Sequence, residues 1–368
     1  MTARMTARVT ASGAVSASEA VSVAVLGGSG YTGRELTRLL ARHPRVRLVH
    51  TTSRSEAGSA SPARGLAYSN PPVEALREMD VVFLCLPHGE AAAWAERLGV
   101  GTRDAGQGAS DPPASPAGAL APGAGAAAPG EGAVPGPVII DLTADHRPGS
   151  GREAGWVYGL NEWARDDLAG ARRVANPGCY PTGVLLALLP LVRAGLVDVD
   201  RLTVVSAASG VTGAGRSPRT DLLFAEVANN FRAYGWGNRH RHLLEMRALL
   251  PGMELLFQPH LLPIPRGIVE TLVVPVRTGV DAEAVRRAWT EAYGSEPVVE
   301  LLEAGLPGLD RVVETDRVAL GVVEVADTRE PALLVGAALD NLGKGAAGQA
   351  VQNLNAVFGW PTEMGVRT

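Results

Sequence analysis

Cys179 stands in the run Asn176-Pro177-Gly178-Cys179-Tyr180-Pro181-Thr182-Gly183. The apolar stretch Thr182 to Arg193 that follows predicts a helix. Pro181 suits its first turn, where no N–H donor is required. The sulfur then lies beside open amides and the positive end of a helix dipole, a setting that lowers a thiol pKa. A thiolate there can attack an acyl group and form a thioester, while backbone amides stabilise the oxyanion. A free cysteine is more often a small buried hydrophobe. Cys85, inside the apolar run Val81 to Leu86, fits that description. Cys179 does not, because the glycine and prolines around it describe a shaped turn.

A thiolate nucleophile needs a proton carrier. Asn238-Arg239-His240-Arg241-His242 supplies two histidines beside arginines that can bind an anion bidentately, although the same run also reads as an exposed basic turn. Ser209-Gly210-Val211-Thr212-Gly213-Ala214-Gly215-Arg216 reads as an anion nest with an arginine at its rim. His260 and Arg266 make a third polar patch. These groups are too scattered for a zinc site, and no metal is expected.

A second chemistry is written near the start. Gly28-x-Gly30-x-x-Gly33 lies between the apolar run Val21 to Leu26 and the segment Arg34 to His43, where Leu36, Leu39 and Leu40 have helical spacing. That context is what the dinucleotide fingerprint requires. Gly28 is expected to permit the tight turn, Gly30 to let a pyrophosphate approach, and Gly33 to allow close helix packing. The helix start supplies amides for the anion. The next strand, Arg47 to Thr52, leads into Ser53 and Arg54, with no acid before Glu56. Hydroxyls and an arginine suit a 2′-phosphate, so NADP is expected rather than NAD.

The elements that must hold these groups follow from pattern. Val21 to Leu26, Arg47 to Thr52, Val81 to Leu86 and Val138 to Leu142 read as strands alternating with helical segments, which indicates a Rossmann-type doubly wound parallel sheet of class α/β. After Cys179 the strands Leu202 to Ala208, Glu254 to Phe257, Ile268 to Val276, Val318 to Ala326 and Ala332 to Leu339 suggest an α+β domain with a mixed or antiparallel sheet. Gly345 to Phe358 has helical spacing and is expected to return to the first domain. The domains expected are therefore a nucleotide-binding domain over 21–178, a catalytic and dimerisation domain over 179–339, and a C-terminal segment over 340–368.

The chain has 368 residues, with 34 Lys+Arg against 38 Asp+Glu and a formal charge of -4. Near-neutral charge excludes a basic nucleic-acid surface. No apolar run approaches the roughly 18 residues of a membrane span. Two cysteines cannot build a disulfide framework. A cytoplasmic protein with a small-molecule substrate remains. Gly 44 and Pro 26 are high, and much of the excess lies in two segments. Residues 1–20 read as an unstructured extension, an upstream start or a transit peptide, and 101–136, almost wholly Ala, Gly, Pro and Ser, as a disordered insertion. Lys344 is the only lysine, which is read as coding bias.

Taken together, GGSGYTGREL, NPGCYPTG, SGVTGAGR, HRH, PHLLPIPRGI and DNLGKGAAGQAVQNLN resemble the N-acetyl-γ-glutamyl-phosphate reductase family, relatives of aspartate-semialdehyde dehydrogenase. The likeness runs in order from Val21 to Pro361. It implies that Cys179 is the nucleophile and that the HRH segment carries the acid/base histidine, His240 or His242; of the two, His242 is read as the acid/base and His240 as positioning or binding an anion. It further implies a cofactor site of Gly28, Ser29, Gly30, Tyr31, Thr32, Gly33, Ser53, Arg54, Pro87 and Asn341. Ser209, Gly210, Arg216, Arg241 and Arg266 would hold the substrate's phosphate and carboxylate. The implied reaction is NADPH-dependent reduction of N-acetylglutamyl 5-phosphate by a homotetramer or homodimer. Two features depart from the family: the 101–136 segment, and Leu243-Leu244-Glu245-Met246 where Pro-Glu-Ile commonly follows HRH. A related acyl-phosphate reductase, acting on aspartyl phosphate or carrier-bound aminoadipyl phosphate, and a non-catalytic NADP-binding regulator are the rival readings.

Overall fold

The computed structural model describes residues 20–99 and 136–368. The leader and the 101–136 segment lie outside the described residues, save Ala20 and Gly136. The chain divides into two compact units. Among the described residues, one comprises 20–99, 136–176 and 349–366, and the other 177–348 with 367–368.

The first unit holds six strands: β1 Val21–Leu26, β2 Val46–Thr51, β3 Val81–Leu84, β4 Val138–Asp141, β5 Val157–Tyr158 and β6 Arg173–Ala175. They form one sheet in the order β2-β1-β3-β4-β6-β5, and every pairing is parallel. Parallel strands covered on both faces need continuous apolar runs rather than alternation. All six residues of β1 and all four of β3 are buried accordingly. Leu26, Leu84, Ile139, Ala91 and Ala95 share one core cluster. The helix Tyr31–Leu40 stops short of the expected His43: the amides of Arg42 and His43 bond three residues back, to Leu39 and Leu40, tightening the turn before Pro44. The short strands β5 and β6 and the helix Asn161–Leu168 carry too few residues for a periodic signal.

The second unit holds β7 Thr203–Gly210, β8 Arg232–Ala233, β9 Leu255–Leu262, β10 Ile268–Pro275, β11 Val299–Leu301, β12 Val318–Glu324 and β13 Ala332–Leu339. Their order is β11-β12-β13-β10-β7-β9-β8. The sheet is mixed, with β7/β9 and β11/β12 parallel and the remaining pairs antiparallel. The strand expected over Glu254 to Phe257 is twice as long, because β9 pairs with β7 through Pro259 to Leu262. Helix Cys179–Arg193 is buried from Tyr180 to Leu191. Helix Ala282–Tyr293 packs on it through Trp289 Nε1 and Tyr293 OH, which donate to the carbonyls of Ala187 and Leu186 at 2.9 Å each.

The expected C-terminal helix from Gly345 is a wide turn, Gly343–Ala347, followed by helix Gly348–Val357. Amides of Gly345 and Ala347 reach carbonyls five residues back, at Asp340 and Leu342. No helix among the described residues is long and apolar enough to cross a membrane.

Candidate active site

In the first unit the glycine loop follows β1. Its positive φ, +78°, belongs to Gly27, so the sharp turn falls one residue before the Gly28 expected to make it. Gly28 is required for a different reason: a Cβ there would collide with the Thr51 side chain at the end of β2. A Cβ on Gly33 would come within 2.7 Å of Gly28 Cα, whereas one on Gly30 meets nothing nearer than 3.5 Å. Gly28 and Gly33 thus let loop, strand and helix close on one another, and Gly30 leaves the loop's outer side open. The helix start has no side-chain cap and no acidic residue in its first turn. Its first amides, at Tyr31, Thr32 and Gly33, therefore form a site for an anion.

Beside the loop, Ser53 Oγ donates to Ser29 Oγ at 2.9 Å and accepts from the Glu56 amide. Arg54 is well exposed and pairs with Glu90 at 3.1 Å. Arg34, which the motif reading passed over, donates to the Ser29 carbonyl and to Glu56. Glu56, the first acid after β2, is thereby neutralised by an arginine of the glycine-loop helix. Pro87 lies just beyond β3, its carbonyl accepting from Glu90 N. Cys85 directly follows β3, and its amide donates to the Leu26 carbonyl. Burial, reinforced by the Asp141 carboxylate, pushes its thiol well above the ordinary range, which fits a structural cysteine.

In the second unit Cys179 opens its helix directly, three residues ahead of the expected start. Pro181 still falls in the first turn. The N-cap Gly178 donates its amide to Glu245 Oε2 at 2.9 Å, and Thr182 Oγ1 closes back on the Gly178 carbonyl at 2.9 Å. The histidine run is brought to the same helix. The ring of Tyr180 meets those of His240 and His242 edge-on, at 5.7 and 5.9 Å between centroids. His240 and His242 lie 4.7 Å apart, and His240 Nδ1 accepts the His242 amide at 3.2 Å. That acceptor role assigns the proton of neutral His240 to Nε2. Burial and the neighbouring Arg241 lower His240 to about 4, so it is uncharged at neutral pH. His242 is the first residue of helix His242–Leu249 and is buried.

Two tyrosines complete this cluster. Tyr234 OH lies 3.0 Å from Tyr180 OH. Burial raises both phenols, Tyr180 well above its usual value and Tyr234 to about 12, and the charge of Cys179 acts on each in the same direction. Tyr180 is legible as the neighbour of Cys179 in sequence. Tyr234 is not, since only the β8/β9 pairing of Ala233 with His260 brings it in.

The presumed anion groups divide. Arg216 and Arg241 are exposed. Arg266 instead forms an ion pair with the fully buried Asp340, Nε to Oδ2 at 2.9 Å, so its charge is largely compensated inside the fold. The expected nest at Ser209–Arg216 does not form: the amides of Gly210, Val211 and Thr212 are taken up by the carbonyls of Gly267, Ile264 and Pro265. The chain continues pairing past β7, and pairing consumes the donors a nest would need. Ser209 is buried and bonds the Gly210 carbonyl at 3.0 Å. Asn341 pins the same region, accepting from Gly267 N at 2.8 Å and donating to Thr212 Oγ1 at 2.9 Å. His260 stacks on Phe231 and uses Nδ1 against the Ala207 carbonyl.

Residues 22–106 match the model of the semialdehyde dehydrogenase NAD binding domain, and 179–341 that of the semialdehyde dehydrogenase dimerisation domain. The chain is 38% identical to an N-acetyl-gamma-glutamyl-phosphate reductase of Akkermansia muciniphila, over 94% of this chain and 98% of that one. It is 39% identical to the enzyme of that name from Acidothermus cellulolyticus, over 94% and 97%. Among solved structures, aspartate semialdehyde dehydrogenase II from Vibrio cholerae, complexed with ASA, superposes with a TM-score of 0.64 at 20% identity, covering 92% of this chain and 98% of that one. Aspartate semialdehyde dehydrogenase with NADP from Candida albicans gives 0.59 at 14% identity, over 93% and 99%. These two likenesses concern the fold.

Proposed function

The chain belongs to the N-acetyl-gamma-glutamyl-phosphate reductase family, and from that premise we propose that it reduces N-acetyl-L-glutamyl 5-phosphate to N-acetyl-L-glutamate 5-semialdehyde and phosphate through a thioester on Cys179. It is an NADP-dependent oxidoreductase of arginine biosynthesis. The observation that carries the finer reading is the grouping of Cys179, at an uncapped helix N-terminus, with His240, His242, Tyr180 and Tyr234.

The glycine loop fits the cofactor: the collisions that a Cβ on Gly28 or Gly33 would meet keep it compact, and the open amides of Tyr31 to Gly33 suit a pyrophosphate. Ser53, Arg54, Ser29 and Thr32 line its remaining polar contacts. Pro87 and Asn341 are assigned to the far end of the cofactor; Asn341 bonds the Thr212 hydroxyl and the Gly267 amide. When bound, NADPH supplies the hydride.

The chain's own groups do the rest. The Cys179 sulfur attacks the acyl carbon, an S–C bond forms, the C–O bond to phosphate breaks and phosphate leaves. Amides at the helix start stabilise the oxyanion. After reduction of the acyl carbon the S–C bond breaks, the aldehyde forms and the sulfur leaves as thiolate or, protonated by His242, as thiol. Neutral His240 orients His242 through the bond at its Nδ1. Arg216 and Arg241 bind the phosphate and the substrate carboxylate, while Arg266 holds the loop through Asp340.

The match to a dimerisation domain supports a homo-oligomer, which we assign as a dimer or tetramer in the cytoplasm. Phosphate-dependent reduction of NADP, with N-acetylglutamate semialdehyde set against aspartate semialdehyde, tests the substrate. Preference for the acetylated compound is expected, and preference for aspartate semialdehyde overturns the reading.

A further inference from the structure

Glu270 is fully buried at the centre of the seven-stranded sheet, and neither carboxyl oxygen has a hydrogen-bond partner. Buried polar groups are nearly always paired, so an orphaned carboxyl calls for a reason. Its surroundings are small. Its register partners on either side are Ala207 in β7 and Ala337 in β13. Above it lies Gly183 of the cysteine helix, where a Cβ would collide with Oε2 and lie 2.9 Å from Cδ. Gly183 stands four residues after Cys179, on the same helical face one turn away. The seat is continuous up to the thiol. Leu339 Cδ2 lies 3.0 Å from the Gly183 Cβ position, and Leu339 Cδ1 2.9 Å from that of Gly345. The Gly345 Cβ position in turn lies 2.9 Å from Cys179 Cβ.

We propose that Glu270 is a positioning residue for the nucleophile: its carboxyl group fills the space that glycine leaves at 183 and so sets how deeply the Cys179 turn rests on the sheet. The proposal rests on Cys179 being the nucleophile. Burial holds the carboxyl well above its ordinary pKa, so the neutral form is the one that fits. The titratable or charged groups on the elements packed around it are Cys179 and Tyr180 at the helix start, Arg193 at that helix's far end, Asp340 just past β13, already paired with Arg266, and Lys344 in the following turn. None of them acts on Glu270, whose shift has burial as its one cause. Ionisation in that apolar seat is costly and is relieved by lifting the helix turn toward water.

The test is alkylation of Cys179 by iodoacetamide without substrate, mapped by peptide mass to separate it from Cys85, across about pH 6 to 10. It is read beside kcat/KM and the melting midpoint. Wild-type alkylation should climb with thiolate formation and then fall at alkaline pH, and Glu270→Gln should remove the fall while staying within about twofold at pH 7. Glu270→Ala and Gly183→Ala should each slow alkylation about tenfold, and the double variant should recover to within about threefold, because the new methyl refills the vacated space. Additive losses in the double variant overturn the proposal. So does Glu270→Ala with a lower melting point but unchanged alkylation, or Glu270→Gln failing as Glu270→Ala does. If Gly183→Ala does not fold, the Gln and Ala variants at 270 decide. Turnover surviving in Cys179→Ala would remove the nucleophile reading instead, since alkylation is read without catalysis.

Discussion

Glu245 Oε2 accepts the amide hydrogen of Gly178 at 2.9 Å, across 67 residues of chain. The bond ties the N-cap of the cysteine helix to the helix that begins at His242. One carboxylate thereby fixes the distance between the candidate nucleophile and the candidate acid/base. Glu245→Ala leaves a buried amide unpaired, at a cost of about 1–3 kcal/mol. A lowered melting midpoint and a fall in kcat/KM of at least about tenfold are expected, with Glu245→Gln intermediate because its amide oxygen still accepts. Equal kcat/KM in wild type and Ala variant would rule the tether out as a catalytic support.

Cys179→Ala should abolish turnover and leave NADPH affinity unchanged, since the glycine loop and the cysteine helix lie in different units. Fluorescence titration of NADPH, beside the rate assay, checks both halves. Residual activity above about one part in a thousand refutes the thioester route.

His240 is lowered to about 4 by burial and by Arg241. The unfolded chain, with a histidine near 6.5, binds the extra proton between these values and the folded chain does not. Stability is therefore full above about pH 6.5 and is lost as pH falls toward 4. Thermal melts across that window should show the decline, and His240→Asn, which keeps an acceptor for the His242 amide, should show less of it. An unchanged pH profile in the variant would place the titrating group elsewhere.

Ser53 and Arg54 carry the 2′-phosphate assignment. Arg54→Ala, and more strongly Ser53→Ala with Arg54→Ala, should raise KM for NADPH about tenfold, the equivalent of one charge-assisted hydrogen bond. KM for NADH should stay within about twofold. Parallel losses with both cofactors would instead mean that the pair supports the loop fold.

Much of this molecule is written locally. β1 and β3 are legible because a strand covered on both faces must be apolar throughout, and the glycine loop because its turn and close approaches occur within a few residues. The first turn around Cys179 is equally local: Gly178, Pro181 and Thr182 shape it from within the same eight-residue motif. Even so, the residue-level reading slips where neighbours decide. The positive φ falls at Gly27 rather than Gly28, and the Ser209–Arg216 loop pairs with Ile264 to Gly267 instead of opening as a nest.

What tertiary structure alone decided is which distant polar groups meet. Arg266 is bound to Asp340, 74 residues on, so a residue that sequence marks as an anion clamp is an internal ion pair. Tyr180 finds Tyr234 across 54 residues, and Gly183 lies over Glu270. Such pairings depend on strand order and register in a mixed sheet, where a slip of one residue turns every side chain to the other face. Composition and spacing show which face a side chain takes but not which strand lies opposite it. They identify the residues able to do chemistry, and the sheet decides which of them are free to do it.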